Sequence, residues 1–334
     1  MAGVKGYRNY RGRSSRGKIL LAVLLCLVIL AAVAVILLQE HIVFDENGRP
    51  YLDDFWREET QEEEPGELDL VIEEPEGPPE LQAQLVQQTP LSFTEWETVR
   101  NETAETNAYA ITVKDNSGRV YFDSTAAVRD AVETAQEPAL PQILQEEYFF
   151  IARLACLQDP IAARADVEGM GLKNTGGYIF YDGNNLNWLD PSKTKTREYL
   201  SSLAVECAAM GFDEILLTDF GFPTQGKLDK IAYPEAGMET SLTGLLTSIR
   251  TALDEAGYED TLLSVEIPAE TILAGRDENA GLVLTEIAPQ ADRVYAVAAE
   301  EQIQPLSQAV TAAGSSFVPE LSAPSVQEGS YLIS

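Results

Sequence analysis

Three carboxylic acids stand at the ends of short apolar runs: Asp219 after Glu214–Thr218, Glu266 after residues 261–265, and Glu320 within residues 317–321. Runs of that length, apolar on both faces, suit strands buried in a parallel sheet. In (β/α) barrels the C-terminal edge of that sheet carries the chemistry. Adjacent strands lie about 4.8 Å apart, so carboxyls from neighbouring strands can approach closely enough to act on one bond. Burial and a neighbouring negative charge raise the pKa of one such carboxyl, which then gives up a proton on demand while its partner stays ionised. The single histidine, His41, lies outside the region patterned to fold. That excludes Ser-His-Asp and Cys-His catalysis and any His-rich metal site. Acid–base work falls to the carboxyls.

Other chemistries find no support. Cys26 sits in an apolar segment, Cys156 at the end of an expected strand and Cys207 inside an expected helix. Their spacing suggests neither a disulfide framework nor a zinc site, and the latter two read as small buried hydrophobes. Gly169-Met170-Gly171 has no strand before it, so it is not a nucleotide loop. Asp182-Gly183-Asn184 is too short a fragment for a calcium loop. No metal or cofactor is therefore assigned. The net charge of −31 is unevenly spread, because residues 1–18 hold Lys5, Arg8, Arg11, Arg13, Arg16 and Lys18 and no acid. The rest of the chain is more acidic still, and such a surface repels nucleic acid.

The acids can be held in place by alternating elements. Strands are expected at 81–86, 108–113, 148–154, 214–218, 261–265, 293–297, 317–321 and 331–333. Helices are expected between them at 93–103, 125–134, 195–210, 242–256, 280–288 and 301–313. Ser92 and Glu95 form a capping box for the first of these. Gly211, Gly257 and Gly314 stop three others, since glycine takes the left-handed conformation of a helix end without a Cβ clash. Residues 166–187 are an irregular, Gly- and Asn-rich excursion. Strands alternating with helices mean a parallel sheet, and eight of them point to a closed (β/α)8 TIM-like barrel over an open doubly wound sheet. The last barrel helix is missing or replaced. Pro319 is an awkward residue inside a strand.

Ahead of the barrel (81–334), three segments are expected. Residues 1–18 form a basic tail. Residues 19–38 are twenty residues without a charge, long enough to cross a hydrocarbon layer of about 30 Å. Apolar residues continue past Ala32-Val33-Ala34, and Leu24-Leu25 precede Cys26, so a signal anchor fits better than a cleaved or lipoprotein signal. The basic flank places the N-terminus in the cytoplasm and the remainder outside the cell membrane. Residues 39–80, dense in Asp and Glu and carrying Pro65, Pro75, Pro78 and Pro79, read as an extended acidic linker.

Several segments in order resemble a bacterial family of glycoside-hydrolase-like proteins with a TIM-like barrel, a domain of unknown function. They are Val113-Lys114-Asp115-Asn116-Ser117-Gly118, Ile151-Ala152-Arg153-Leu154, Asp159-Pro160, Trp188-Leu189-Asp190-Pro191, Gly211-Phe212-Asp213-Glu214-Ile215 and Asp219-Phe220-Gly221-Phe222-Pro223. The resemblance covers residues 109–223 in order and spacing, and beyond them only architecture. Two departures stand out. Gly221 occupies a position where the family has Arg, and Ala296-Val297-Ala298-Ala299 lacks the polar and aromatic groups that usually end the sixth strand.

The resemblance implies glycoside hydrolysis, which needs one carboxyl to protonate the leaving oxygen and another as nucleophile or as base for water. On that reading Asp219 is the nucleophile or stabiliser and Glu266 the general acid. Lys114, Asp115, Arg153, Trp188, Asp190 and Glu320 are candidates for holding the sugar. Lys114 can instead pair with Asp115 or Asp219, Arg153 with the same two acids, and Asn116-Ser117-Gly118 reads as a turn. Trp188 offers an aromatic face to a sugar, with Tyr178, Phe180 and Tyr181 as further candidates. Two functions compete: a membrane-anchored hydrolase of a cell-wall or extracellular glycan, and an inactive barrel that binds glycan or an envelope protein.

Overall fold

Each short run rich in Val, Ile, Leu and Ala becomes a strand. β1 is Gln82–Val86, β2 Ala108–Lys114, β3 Phe149–Ala155, β4 Glu214–Thr218, β5 Leu262–Glu266, β6 Arg293–Val297, β7 Ser316–Leu321 and β8 Tyr331–Ile333. The computed structural model describes residues 28, 42–44, 50–52, 79–87, 89–103, 106–135, 139–324 and 329–334. Every neighbouring pair is parallel, and β8 returns to β1, so the eight strands form a closed barrel in sequence order. The barrel lies in a compact unit spanning Pro75–Ser334.

Strand alternation sorts the side chains into two cores. Ala83, Ala110, Ile151, Leu216, Tyr295, Val318 and Leu332 fill the barrel, whereas Ile215, Leu217, Leu263 and Val265 face the surrounding helices. Small residues on β1 and β2 leave room for Tyr295 from across the barrel. The helices are α1 Phe93–Glu102, α2 Leu140–Ile143, α3 Pro160–Ala165, α4 Thr194–Met210, α5 Met238–Glu255, α6 Ala269–Ala274, α7 Leu284–Ile287 and α8 Ile303–Ala312. Ser92 and Glu95 make the capping box of α1, and Gly211 ends α4 at φ 107°. Pro319 falls where β7 pairs with β6 through Ala296 but has not yet met β8, which pairs from Glu320 onward. Its missing N–H is tolerated there.

Two expected helices do not form as such. Residues 125–134 contain only a single 3-10 turn, Arg129–Ala131. The Glu206 carboxylate of α4 accepts hydrogen bonds from Thr125 N and Oγ1, Ser124 Oγ and Ala126 N, while Val120 pairs with Val132. Those partners replace the helix's own hydrogen bonds. Residues 280–288 are α-helical only over α7, followed by a 3-10 turn at Ala288–Gln290, because Arg276–Asp277 and Leu282–Val283 pair as a short hairpin.

Within 39–80, where the sequence suggests an extended linker, Ile42–Phe44 pairs antiparallel with Pro50–Leu52. Among the described residues no helix is long and apolar enough to cross a membrane. The expected span at 19–38 lies outside the described residues except for Val28, as do the basic tail and His41.

Candidate active site

Asp219 follows the last residue of β4 and is the point at which that strand leaves the barrel. Its backbone is left-handed, φ 48°, one of two described non-glycine residues with positive φ. A side chain other than glycine adopts that conformation at a cost of order 1 kcal/mol or more, which the surroundings must offset. Leu157 N donates to its carbonyl at 3.2 Å and Cys156 N to that of Thr218 at 2.7 Å, so β3 holds the turn in place. Burial pushes the Asp219 carboxyl above its ordinary range. Its hydrogen bond with Asn116 opposes this, Glu266 adds to it, and Lys114 and Arg153 work against it.

Glu266 is the last residue of β5, and its inward direction brings it to the same rim. Arg153, inward-facing on β3, donates from Nη2 to Glu266 Oε2 at 2.6 Å and lies 3.4 Å from Glu320 Oε1. The longer contact lacks hydrogen-bond geometry, so Glu320 Oε1 is buried without a hydrogen-bond partner among the described residues. Glu320 is only 2% exposed. Its carboxyl is pushed up to about 7, first by burial, with Arg153 opposing and the charge of Glu266 and a carboxyl–carboxyl hydrogen bond with it adding to the rise.

Asp219 and Glu266 line one cleft of about 320 Å³ at the barrel mouth, together with Trp188, Phe220, Glu270 and Asp277. The Trp188 indole is fixed by a 3.0 Å hydrogen bond from Nε1 to Asp182 Oδ2. A larger groove of about 840 Å³ lies between α4 and α5 and contains none of the strand-end acids.

The other sequence candidates lie elsewhere. Lys114 is 1% exposed and belongs to the interior: it pairs with Asp159 at 3.1 Å and donates to Ala155 O at 2.6 Å. It therefore meets neither a sugar nor Asp115. Asp115 organises its own turn, accepting from Ser117 N and Oγ, Arg119 N and the Tyr121 hydroxyl. Asp190 is buried and accepts from Ser192 N and Oγ just ahead of α4. Arg153 pairs with Glu266 and Glu320 instead of with Asp115 or Asp219. Tyr178 and Tyr181 are exposed and Phe180 is buried, none of them on the cleft. Asn116, which reads from sequence as a plain turn residue, works against the rise of the Asp219 carboxyl. Its position directly after a strand-end Lys-Asp pair was the available signal. At Gly221 a Cβ would stand 3.4 Å from the Ala280 Cβ, so the hairpin after α6 occupies the space a long side chain would need.

Among the described residues, no group of three or more His, Cys, Asp or Glu side chains is arranged to hold a metal ion. Cys156 and Cys207 are free and buried.

Residues 92–298 match the family model described as "Putative glycosyl hydrolase domain". No curated protein sequence matches the chain. Among solved structures, the PgaB (BpsB) glycoside hydrolase domain from Bordetella bronchiseptica superposes with a TM-score of 0.53 at 15% identity, over 73% of this chain and 84% of that one. That likeness is one of fold. A hypothetical protein from Ruminiclostridium thermocellum ATCC 27405 shares 24% identity with a TM-score of 0.45, over 52% of this chain and 91% of that one.

Proposed function

The chain belongs to the family described as "Putative glycosyl hydrolase domain", and from that premise we propose that it hydrolyses a glycosidic bond with the carboxyls of Asp219 and Glu266. The observation that carries the reading is their convergence on one cleft beside the Trp188 ring, from the C-terminal ends of adjacent strands. The two environments divide the labour. Asp219 is raised by burial and suits the group that gives its proton to the departing glycosidic oxygen. Glu266 accepts a 2.6 Å hydrogen bond from Arg153 at the same rim, which suits the partner that attacks the anomeric carbon or takes a proton from water. In the sum, the C–O bond breaks, water supplies hydroxide to the anomeric carbon, and its remaining proton restores the acid. This division reverses the one drawn from the strand ends alone.

One observation favours a second reading, a barrel that binds glycan without cleaving it. β6 ends in Val297, 64% exposed, and offers the mouth no acid or aromatic group. The twenty uncharged residues 19–38 and their basic flank support a further part of the proposal, that the barrel is tethered to the cell membrane and works outside it on a cell-wall or extracellular glycan. Protease accessibility of the barrel in intact cells tests the tether.

The catalytic proposal is tested by release of reducing ends from a glycan panel, comparing the full-length protein with Asp219→Asn and Glu266→Gln. Turnover by the native chain that falls about a hundred- to ten-thousandfold in each variant supports it. Equal turnover in the variants, or turnover on no glycan, favours the binding reading.

A further inference from the structure

The charges around the cleft are out of balance, and the imbalance selects a ligand. Asp219, Glu266, Glu270 and Asp277 line it, and among the described residues no Lys, Arg or His does. Nearby cations are already engaged. Lys114 is buried against Asp159 at 3.1 Å, and Arg153 beneath the mouth is shared by Glu266 and Glu320. Arg276, beside Asp277, reaches out to Glu239 at 3.0 Å and Glu278 at 3.7 Å. Asp277 Oδ1 caps a turn through Asn279 N and Ala280 N, and its carboxyl has no cation among the described residues. Glu270 is exposed, with no hydrogen bond or ion pair of its own among the described residues. The acids are not arranged to enclose a metal ion. They spread along the wall of a cleft whose other surfaces are Trp188, Phe220, Phe222, Pro268 and Leu282. Apolar faces between spaced negative charges fit a chain of rings that carries several positive charges.

We propose that the cleft takes glycans bearing free, protonated amino groups, that is, de-N-acetylated amino sugars, in preference to N-acetylated or uronic-acid glycans. The inference rests on the reading of this cleft as the glycan site. In it, Glu270 and Asp277 face the ammonium groups of residues flanking the cleaved bond, and the rings lie on Trp188. An anionic glycan meets Glu270 and Asp277, neither of which has a paired cation among the described residues, and an acetyl group removes the charge that the wall attracts. A field of this kind is weakened by salt, since Glu270 is open to water.

The experiment measures binding and cleavage separately with the full-length protein. Ligands are oligomers of glucosamine, the same oligomers N-acetylated, and oligogalacturonate, each at low and raised salt. The expected result is binding of the glucosamine oligomers at least about tenfold tighter than their N-acetylated form, weakening with salt, and none of oligogalacturonate. Glu270→Gln and Asp277→Asn should each weaken glucosamine-oligomer binding roughly two- to fivefold. Glu270→Lys should weaken it more, and none of the three should alter N-acetylated binding. Glu259→Gln, an exposed acid remote from the mouth, controls for the protein's overall charge. If Asp277→Asn perturbs its turn, the two Glu270 variants carry the test alone. Equal or tighter binding of N-acetylated or anionic oligomers, no binding of any, or an equal effect of Glu259→Gln overturns the amino-sugar assignment. Selective binding without cleavage of any oligomer upholds the assignment and overturns the hydrolase reading.

Discussion

The two ends of the barrel interior use the same ingredients to different ends. At the floor, Glu214 at the start of β4 pairs with Arg293 at the start of β6, both almost wholly buried. Arg293 also donates to Pro79 O at 2.6 Å and lies over the Phe149 ring, 5.4 Å from its centroid. At the mouth, one arginine, Arg153, faces two glutamates, with Asp219 as a further acid on the same rim. One guanidinium against one carboxylate, both sealed from water, closes the floor. One guanidinium against several carboxyls leaves negative charge unmatched at the mouth. Charge matching, more than the residue types, separates the structural end from the proposed chemical one.

The largest effects that can break this comparison are on catalysis. Asp219→Asn and Glu266→Gln should each reduce turnover by about a hundred- to ten-thousandfold and leave the melting temperature nearly unchanged. A variant at the mouth that unfolds the protein would erase the distinction between the ends. The floor should behave in the opposite way. Arg293→Met leaves Glu214 buried without its cation and should cost about 3–5 kcal/mol of stability, read by chemical denaturation. Adding Glu214→Leu to that variant should restore most of the loss, since an apolar pair needs no compensation. If Arg293→Met costs no stability, the floor pair is not structural.

A pH effect of intermediate size sharpens the contrast. The Glu320 carboxyl sits at about 7 in the fold against an ordinary 4.5, so between those values the native state keeps a proton that the unfolded chain has released. Its contribution is fully present below the lower value and is lost as pH rises towards the upper one. Glu320→Gln should therefore be more stable relative to the native chain at about pH 8 than at about pH 5, read by urea denaturation at both. An unchanged difference would mean that no proton is shared at the mouth. The smallest effect is expected at Asn116. Asn116→Ala removes a hydrogen bond that favours the ionised Asp219. The limb of the pH–rate profile set by Asp219 should move to higher pH, with a change of about threefold in rate. A shift to lower pH would show that Asn116 acts on another group.

Much of the barrel was legible because its signals are local. β4 matches its expected bounds, Glu214–Thr218, since five buried residues between a helix-stopping glycine and a turn leave few alternatives. The hairpin at 42–44 and 50–52 had a local signal as well, Asn47-Gly48 between two short runs, passed over in an acidic segment. Residues 125–134 misled because the group that ties up their backbone, Glu206, lies about eighty positions away. At the site, Asp219 and Glu266 could be placed on one rim by counting strand ends. The partners of Arg153 could not, because β3 and β7 are not neighbours and their side chains meet only across a closed barrel.

By itself, then, the chain's order of residues determined the eight parallel strands, the acid that follows the fourth, and the lack of any histidine among the barrel's residues. These follow from periodicity, turn chemistry and composition, which act over a few positions. Closure of the barrel decided the rest: that Lys114 is sealed against Asp159, that Arg153 serves two glutamates, and that burial pushes the Glu320 carboxyl up to about 7. Those outcomes depend on burial and on charges brought together from strands far apart in the chain, and a carboxyl's affinity for its proton is set by such neighbours.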